Sequence, residues 1–213
     1  MISAVIFDFD GIIVDSERLH WTAFNRVLSP LGKTISWPDY IHTYIGFDDR
    51  DTFRTALPDL GKDALPQLIA KKAAEFQNLL ESDGAAALPG AVELIKNLSG
   101  NIPLAICSGA LRSDILPVLK GLGVESAFDT IVTADDTHIS KPDPAPYKLA
   151  AKKLGVTKGL AIEDTPAGIA SAKGAGLNVL AVTNSYAPEF LTQADAVVSS
   201  LEGLSLSKLN ALL

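Results

Sequence analysis

The sequence predicts an α/β protein: a doubly wound parallel sheet of Rossmann-like type, with a small helical domain inserted after its first strand. Three observations carry that prediction. Short runs rich in Val, Ile and Leu recur without polar alternation, as expected for strands buried on both faces of a parallel sheet. Helical patterns separate those runs, which argues for strand–helix–strand units. Residues 17–82 alone break the rhythm, offering helices but no strand.

Taken in order, SAVIFDFD (3–10) is the first strand. The insert then offers three helices: SERLHWTAFNRVLSPLG (16–32), DDRDTFRTAL (48–57) and PQLIAKKAAEFQNLLE (66–81). The small-residue run DGAAALPG (83–90) closes it, and the alanines at 85–87 are expected to be a flexible connector. Alternation resumes with helix AVELIKNL (91–98), strand IPLAIC (102–107), helix RSDILPVLKGL (112–122) and strand TIVTA (130–134). Helix APYKLAAKKL (145–154), strand GLAIED (159–164), helix PAGIASAKGA (166–175), strand LNVLAVT (177–183) and a last strand ADAVVS (194–199) complete it. The economical division is a core of residues 1–16 and 84–213 and an insert of residues 17–83, hinged near 15–17 and 83–88.

Bulk properties narrow the function. A chain of 213 residues with 47% hydrophobic content can bury a substantial core. Its net charge of −7 provides no basic footprint for nucleic acid. One cysteine, Cys107, excludes an internal disulfide and closes an apolar run, as a small buried hydrophobe would. No apolar stretch approaches a membrane span, and the first apolar run is broken by aspartates with no basic segment before it, unlike a signal peptide. A cytoplasmic protein is expected, with its oligomeric state open and a monomer compatible with the composition.

In an open parallel sheet, ligands bind beyond the carboxyl ends of the strands. There the sequence puts Asp8 and Asp10 after the first strand, Ser108-Gly109 after the second, Lys141 in the loop after the third, and Glu163-Asp164 after the fourth. Each type suits phosphoryl transfer. Asp8 and Asp164, with a backbone carbonyl and water, suit Mg²⁺, and Glu163 can orient what the metal holds. Ser108 and Lys141 suit phosphate oxygens. An aspartate can attack phosphorus, and a second carboxyl can protonate the leaving oxygen and activate water. Taken singly, each has a structural explanation: the acids as turn formers, Asp164-Thr165-Pro166 as a capped helix start, Ser108-Gly109 as a turn, Lys141 as a solvated loop residue. All four in order on strand ends point to a site. Other patterns fail: GKT (32–34) lacks the first glycine of a phosphate loop, DFDG does not continue as a calcium loop, and no HExxH occurs.

DFDGIIVDSE, CSGA, the lysine of ISKPDP and EDTPAG together resemble the four motifs of the haloacid dehalogenase superfamily, over essentially the whole chain. The helical insert resembles the cap of its phosphoglycolate-phosphatase-like and β-phosphoglucomutase-like group. The resemblance implies Asp8 as nucleophile and Asp10 as general acid/base. It implies a Mg²⁺ site of Asp8, the Asp10 main-chain carbonyl and Asp164, supported by Glu163, with Ser108 and Lys141 on the phosphate. For the cap it implies a hinge histidine at His20, a substrate arginine at Arg50 and a lysine reaching the site at Lys72; Gly109 falls beside the substrate. Helical, solvated alternatives exist for all three cap side chains. Ile12 replaces the threonine common in the superfamily's phosphatases, as in the mutase-like group. Against a mutase, three residues separate Gly46 from Arg50 where the mutase pattern has two, and motif two continues GALR. The expectation is therefore a Mg²⁺-dependent phosphatase of a small phosphorylated metabolite, a sugar phosphate by resemblance. A β-phosphoglucomutase-type mutase is the alternative, and a phospho-receiver domain a more distant one.

Overall fold

Along the chain of the computed structural model, which describes residues 1–61 and 63–213, the elements begin with β1 (Val5–Phe7), β2 (Val14–Asp15), α1 (Glu17–Leu28) and the single turn α2 (Trp37–Asp39), which runs into a π-helical turn at Tyr40–Tyr44. Next come α3 (Asp49–Ala56), α4 (Leu65–Asp83), β3 (Ala86–Ala87), α5 (Ala91–Leu98), β4 (Leu104–Cys107), α6 (Arg112–Gly121) and β5 (Thr130–Val132). The chain ends with α7 (Ala145–Leu154), β6 (Leu160–Glu163), α8 (Pro166–Gly174), β7 (Asn178–Val182), β8 (Ala196–Val198) and α9 (Leu206–Leu212).

Six strands form one parallel sheet in the order β5-β4-β1-β6-β7-β8. Counted among themselves the strands run 3-2-1-4-5-6, the doubly wound order, and the direction of winding reverses between β1 and β6. Alternation along β1 explains the two layers. Val5 and Phe7 pack on the face covered by α5, α6 and α9, and Ile6 on the face covered by α7 and α8. Every residue of β1, β4 and β6 is buried, as their apolar runs predict, and the one charged residue among them, Glu163, ends β6.

Among the described residues, the segment between β2 and β3 contains α1, α2, α3 and α4 and no strand. Its own apolar cluster includes Phe24, Leu28, Tyr40, Phe53 and Leu68. α4 buries Leu68, Lys72, Phe76 and Leu79, one face of a helix at spacings of four, four and three, so Lys72 falls inside an apolar stripe.

One expectation is corrected here. The alanines at 85–87 are not a loose connector: Ala86 and Ala87 form β3, pairing antiparallel with Asp15 and Val14, and Leu88 N–H donates to the Ile13 carbonyl at 2.9 Å. Their small side chains permit close strand pairing, but two residues are too short to show periodicity. The last helix, α9, follows the final strand, and Ser205 caps it by accepting from Lys208 N–H.

Pro117 sits inside α6 and has no N–H for the carbonyl of Ser113, four residues earlier. Gln77 of α4 makes up the bond, its Nε2 donating to that carbonyl at 2.9 Å and to Asp114 Oδ1 at 3.0 Å. The proline thus leaves an acceptor on the core that a side chain of the insert satisfies.

Candidate active site

Beyond the carboxyl ends of β1, β4 and β6 lies a cavity lined by Asp8, Asp10, Ser108, Gly109, Lys141 and Thr165 from the sheet side and by Glu17, His20, Phe24, Tyr40, Phe47 and Asp49 from the inserted segment. The switch point of the sheet brings the Asp8 and Glu163-Asp164 strand ends side by side. Asp8 extends the pairing, its N–H donating to the Ile162 carbonyl at 2.9 Å, and so its side chain leaves β1 in a fixed direction.

Lys141 joins the two strand ends, with Nζ 2.9 Å from Asp8 Oδ1 and 2.6 Å from Glu163 Oε1. Glu163 is saturated: Oε1 also accepts from Tyr147 Oη at 2.7 Å, and Oε2 accepts from Asp164 N–H and Thr165 Oγ1, both at 3.2 Å. Asp164 is the reverse case. Ser185 Oγ donates to its Oδ2, while its Oδ1 is buried without a hydrogen-bond partner among the described residues. The helix-cap explanation for Asp164 fails, because Thr165 caps α8 by accepting from Gly168 N–H at 3.0 Å. At Gly11, with φ of +74°, a β-carbon would overlap the Asp164 carboxylate, so the turn after β1 closes directly on that side chain.

Asp10 points toward the insert. Its Oδ1 accepts from Ser16 Oγ and lies 3.1 Å from His20 Nε2, and its Oδ2 is 3.5 Å from Ser108 Oγ. Lys72 Nζ stands 2.8 Å from His20 Nδ1 and 2.8 Å from Asp49 Oδ1. An ammonium has only donors, so His20 Nδ1 accepts and Nε2–H donates to Asp10. His20 stacks on Phe76 with ring centroids 4.2 Å apart, which fixes its plane.

Acids packed this closely need a cation. Asp8, Glu163 and Asp164 each offer a carboxylate oxygen within 4.8 Å of the others. Burial and the neighbouring Glu163 push Asp8 up to about 8 against the pull of Lys141, and burial, Asp8 and Glu163 raise Asp164 well above the carboxylate range. The orphaned Asp164 Oδ1 beside Asp8 is the donor set a small hard cation takes, and saturated Glu163 is left to orient its neighbours. The residues present therefore fit Mg²⁺.

A family model for haloacid dehalogenase-like hydrolases matches residues 5–182. The chain belongs to the haloacid dehalogenase-like hydrolase family. Validoxylamine A 7′-phosphate phosphatase of Streptomyces hygroscopicus subsp. limoneus is 29% identical over 94% of this chain and 95% of the relative. Fructose-1-phosphate phosphatase YqaB of Escherichia coli is 30% identical over 84% and 96%. The structure of β-phosphoglucomutase from Clostridium difficile superposes with a TM-score of 0.88 at 26% identity, covering 100% of this chain and 97% of that one. This haloacid dehalogenase-like hydrolase is a phosphoric monoester hydrolase. Among its described residues, no helix is long and apolar enough to cross a membrane.

In this hydrolase, then, Asp8, Asp10, Ser108, Gly109, Lys141 and His20 line one cavity, with Asp164 and Glu163 beside it. One expectation for the cap is revised. Lys72 is fully buried behind His20 and touches Asp10 only through the imidazole. Arg50 lines a smaller adjoining cavity together with Ser108, Gly109 and Lys141, where its Nε donates to Asp48 Oδ2 at 2.7 Å and its Nη1 to the Thr137 carbonyl at 2.8 Å. Sequence reasoning missed Glu17, Asp49, Tyr147 and Ser185. Tyr147 carried a signal, a phenol on the buried face of α7, since a buried Tyr hydroxyl seeks a polar partner. Ser185 lies far from every motif and carried none.

Proposed function

We propose that this protein is a Mg²⁺-dependent phosphatase that hydrolyses a small phosphorylated sugar through an aspartyl-phosphate on Asp8. The observation that carries the reading is Asp8 held by Lys141 beside the unpartnered Oδ1 of Asp164, with Asp10 opposite. The relatives named for fructose 1-phosphate and validoxylamine A 7′-phosphate supply the substrate class. In this reading residues 17–83 are a cap on a core of residues 1–16 and 84–213.

An Asp8 oxygen attacks phosphorus, the bond to the leaving oxygen breaks, and Asp10 protonates that oxygen. Asp10 then takes a proton from water, whose oxygen attacks the phosphoryl group, freeing Asp8 and inorganic phosphate. Burial works against ionisation of Asp10, but His20 and Ser16 hold its carboxyl below the usual range, so it starts as the base. The arriving phosphate dianion, a like charge beside it, favours the protonated form that the first step uses. Ser108 and Lys141 hold the phosphate oxygens. When bound by Asp8, Asp164 and the Asp10 carbonyl, Mg²⁺ supplies charge neutralisation at those oxygens.

Asp8→Asn is expected to abolish phosphate release from 4-nitrophenyl phosphate with Mg²⁺; substantial residual turnover would remove Asp8 as the nucleophile. Burial of Asp8 and the fold shared with a β-phosphoglucomutase favour a second reading, a phosphosugar mutase. There water must be excluded long enough for the phosphoenzyme to phosphorylate a sugar. Glucose 6-phosphate formed from β-glucose 1-phosphate and a bisphosphate primer would establish it, and inorganic phosphate as product would exclude it.

A further inference from the structure

Asp164 has one carboxylate oxygen closed off and one open. Its strand, β6, pairs with β7, with Glu163 opposite Ala181, so the chain leaving β7 passes beside the carboxylate. Thr183 N–H donates to the Val198 carbonyl at 3.0 Å and pins the start of that loop. Two residues on, Ser185 Oγ donates to Asp164 Oδ2. Asn184 Nδ2 donates to the Gly11 carbonyl at 2.7 Å and ties the same loop to the turn after β1. That turn is closed in its own right, Gly11 N–H donating to the Val14 carbonyl at 2.9 Å. A β-carbon on Gly11 would overlap Oδ2 and come within 3.1 Å of Ser185 Oγ. A hydroxyl and a backbone turn therefore enclose Oδ2, while Oδ1 is buried with no hydrogen-bond partner among the described residues.

The neighbouring acids are restricted in the same way. Asp8 Oδ1 accepts from Phe9 N–H at 2.8 Å and from Lys141 Nζ at 2.9 Å, which leaves Oδ2. Glu163 has both oxygens engaged, by Lys141, Tyr147, Thr165 and the Asp164 N–H. The cluster thus offers a cation single oxygens, with no open pair on any one carboxylate. Mg²⁺ is small, demands near-octahedral geometry and is content with few carboxylates. The larger Ca²⁺ takes more oxygens at longer distances, often both from one carboxylate, so the number of open oxygens is what tells the two ions apart.

We propose that Ser185, braced by Asn184, sets the cation specificity of this hydrolase: by occupying Asp164 Oδ2 it limits Asp164 to one oxygen and favours Mg²⁺ over Ca²⁺. Both are positioning residues, one acting through Asp164 and the other through the Gly11 turn. The inference rests on the Mg²⁺ part of the phosphatase reading and deepens it. Neither residue belongs to the strand-end motifs, so the same acids without a hydroxyl at this place would discriminate less.

Isothermal titration calorimetry of the metal-free protein with magnesium chloride and with calcium chloride measures the two dissociation constants without any turnover. The ratio of Kd for Ca²⁺ to Kd for Mg²⁺ is expected to fall about tenfold in Ser185→Ala, which opens Oδ2 to the larger ion. Ser185→Thr keeps the hydroxyl and is expected to keep the ratio. Asn184→Ala changes an exposed side chain and leaves the hydroxyl in place but unbraced, and the ratio is expected to fall about threefold. A ratio unmoved in Ser185→Ala overturns the inference; where that variant fails to fold, a ratio unmoved in Asn184→Ala does so. An equal fall in Ser185→Thr also overturns it, because the hydroxyl is then not what acts. In each of these cases Mg²⁺ binding by the wild type leaves the phosphatase reading standing. Binding of neither cation by the wild type overturns the inference and the Mg²⁺ dependence together.

Discussion

Gly168→Ala pits a local preference against a packing constraint. Gly168 lies in α8, where alanine is ordinarily the better helix former by about 1 kcal/mol. Here a β-carbon would overlap Cδ and both oxygens of Glu163. The carboxylate has nowhere to retreat, since Lys141, Tyr147, Thr165 and the Asp164 N–H all donate to it. Displacing it breaks bonds to a charged acceptor worth about 1.5–3 kcal/mol each. Loss of two of them, less the propensity gain, leaves a net destabilisation of about 2–5 kcal/mol. Urea unfolding at neutral pH would show this as a lowered midpoint. Activity is expected to fall as well, because Lys141 loses the partner that aims it at Asp8. An unchanged or raised midpoint would refute the view that Glu163 is rigidly held.

Two further outcomes follow from charge. Saturating Mg²⁺ is expected to raise the melting temperature of the wild type, by about 2.7 kcal/mol at a hundred times Kd and so by roughly 5–10 °C; Asp164→Asn should abolish the shift, as thermal scans with and without chelator would record. Away from the site, burial opposes ionisation of Asp136, but the Thr133 N–H and hydroxyl, Lys153 and Arg112 hold its carboxyl at about 2. A depressed folded-state value contributes stability that is full above the unfolded-state value near 3.8 and is lost as pH falls through 2. Urea midpoints of the wild type and Asp136→Asn should therefore differ most above about pH 4 and converge toward about pH 2; a constant gap would show that the carboxylate's charge plays no part.

Much of the molecule was legible because it is encoded locally. Helices α5 and α7 coincide with their sequence patterns, and each sheet strand lies inside an apolar run. The strand-end motifs converge because a parallel sheet aligns its carboxyl ends. What escaped the sequence is the pairing of distant side chains. By resemblance Lys72 is a lysine reaching the site, with an ordinary charged face as the alternative, yet its place between Leu68 and Phe76 puts it in the buried stripe of α4, where Asp49 and His20 compensate it. Arg50 could be located but not aimed, since its partner carbonyl at Thr137 comes from another part of the chain. Asp49 and Glu17 lay among many acids with no pattern to mark them.

The pairing of β2 with β3 bears on how such a molecule diversifies. The chain leaves the sheet domain and re-enters it on two hydrogen-bonded neighbours, Val14–Asp15 and Ala86–Ala87. Such an antiparallel pair is what a two-residue turn normally closes. Everything between those strands is therefore an exchangeable module: its length adds only slowly to the entropy of closing the loop, and a different module leaves the register of the sheet untouched. Asp8, Asp10 and Lys141 stay on the sheet side of that junction, while Glu17, His20, Phe24, Tyr40 and Asp49 ride on the inserted side. One hydrolytic core can in this way acquire new substrates by changing what is spliced into a single hairpin.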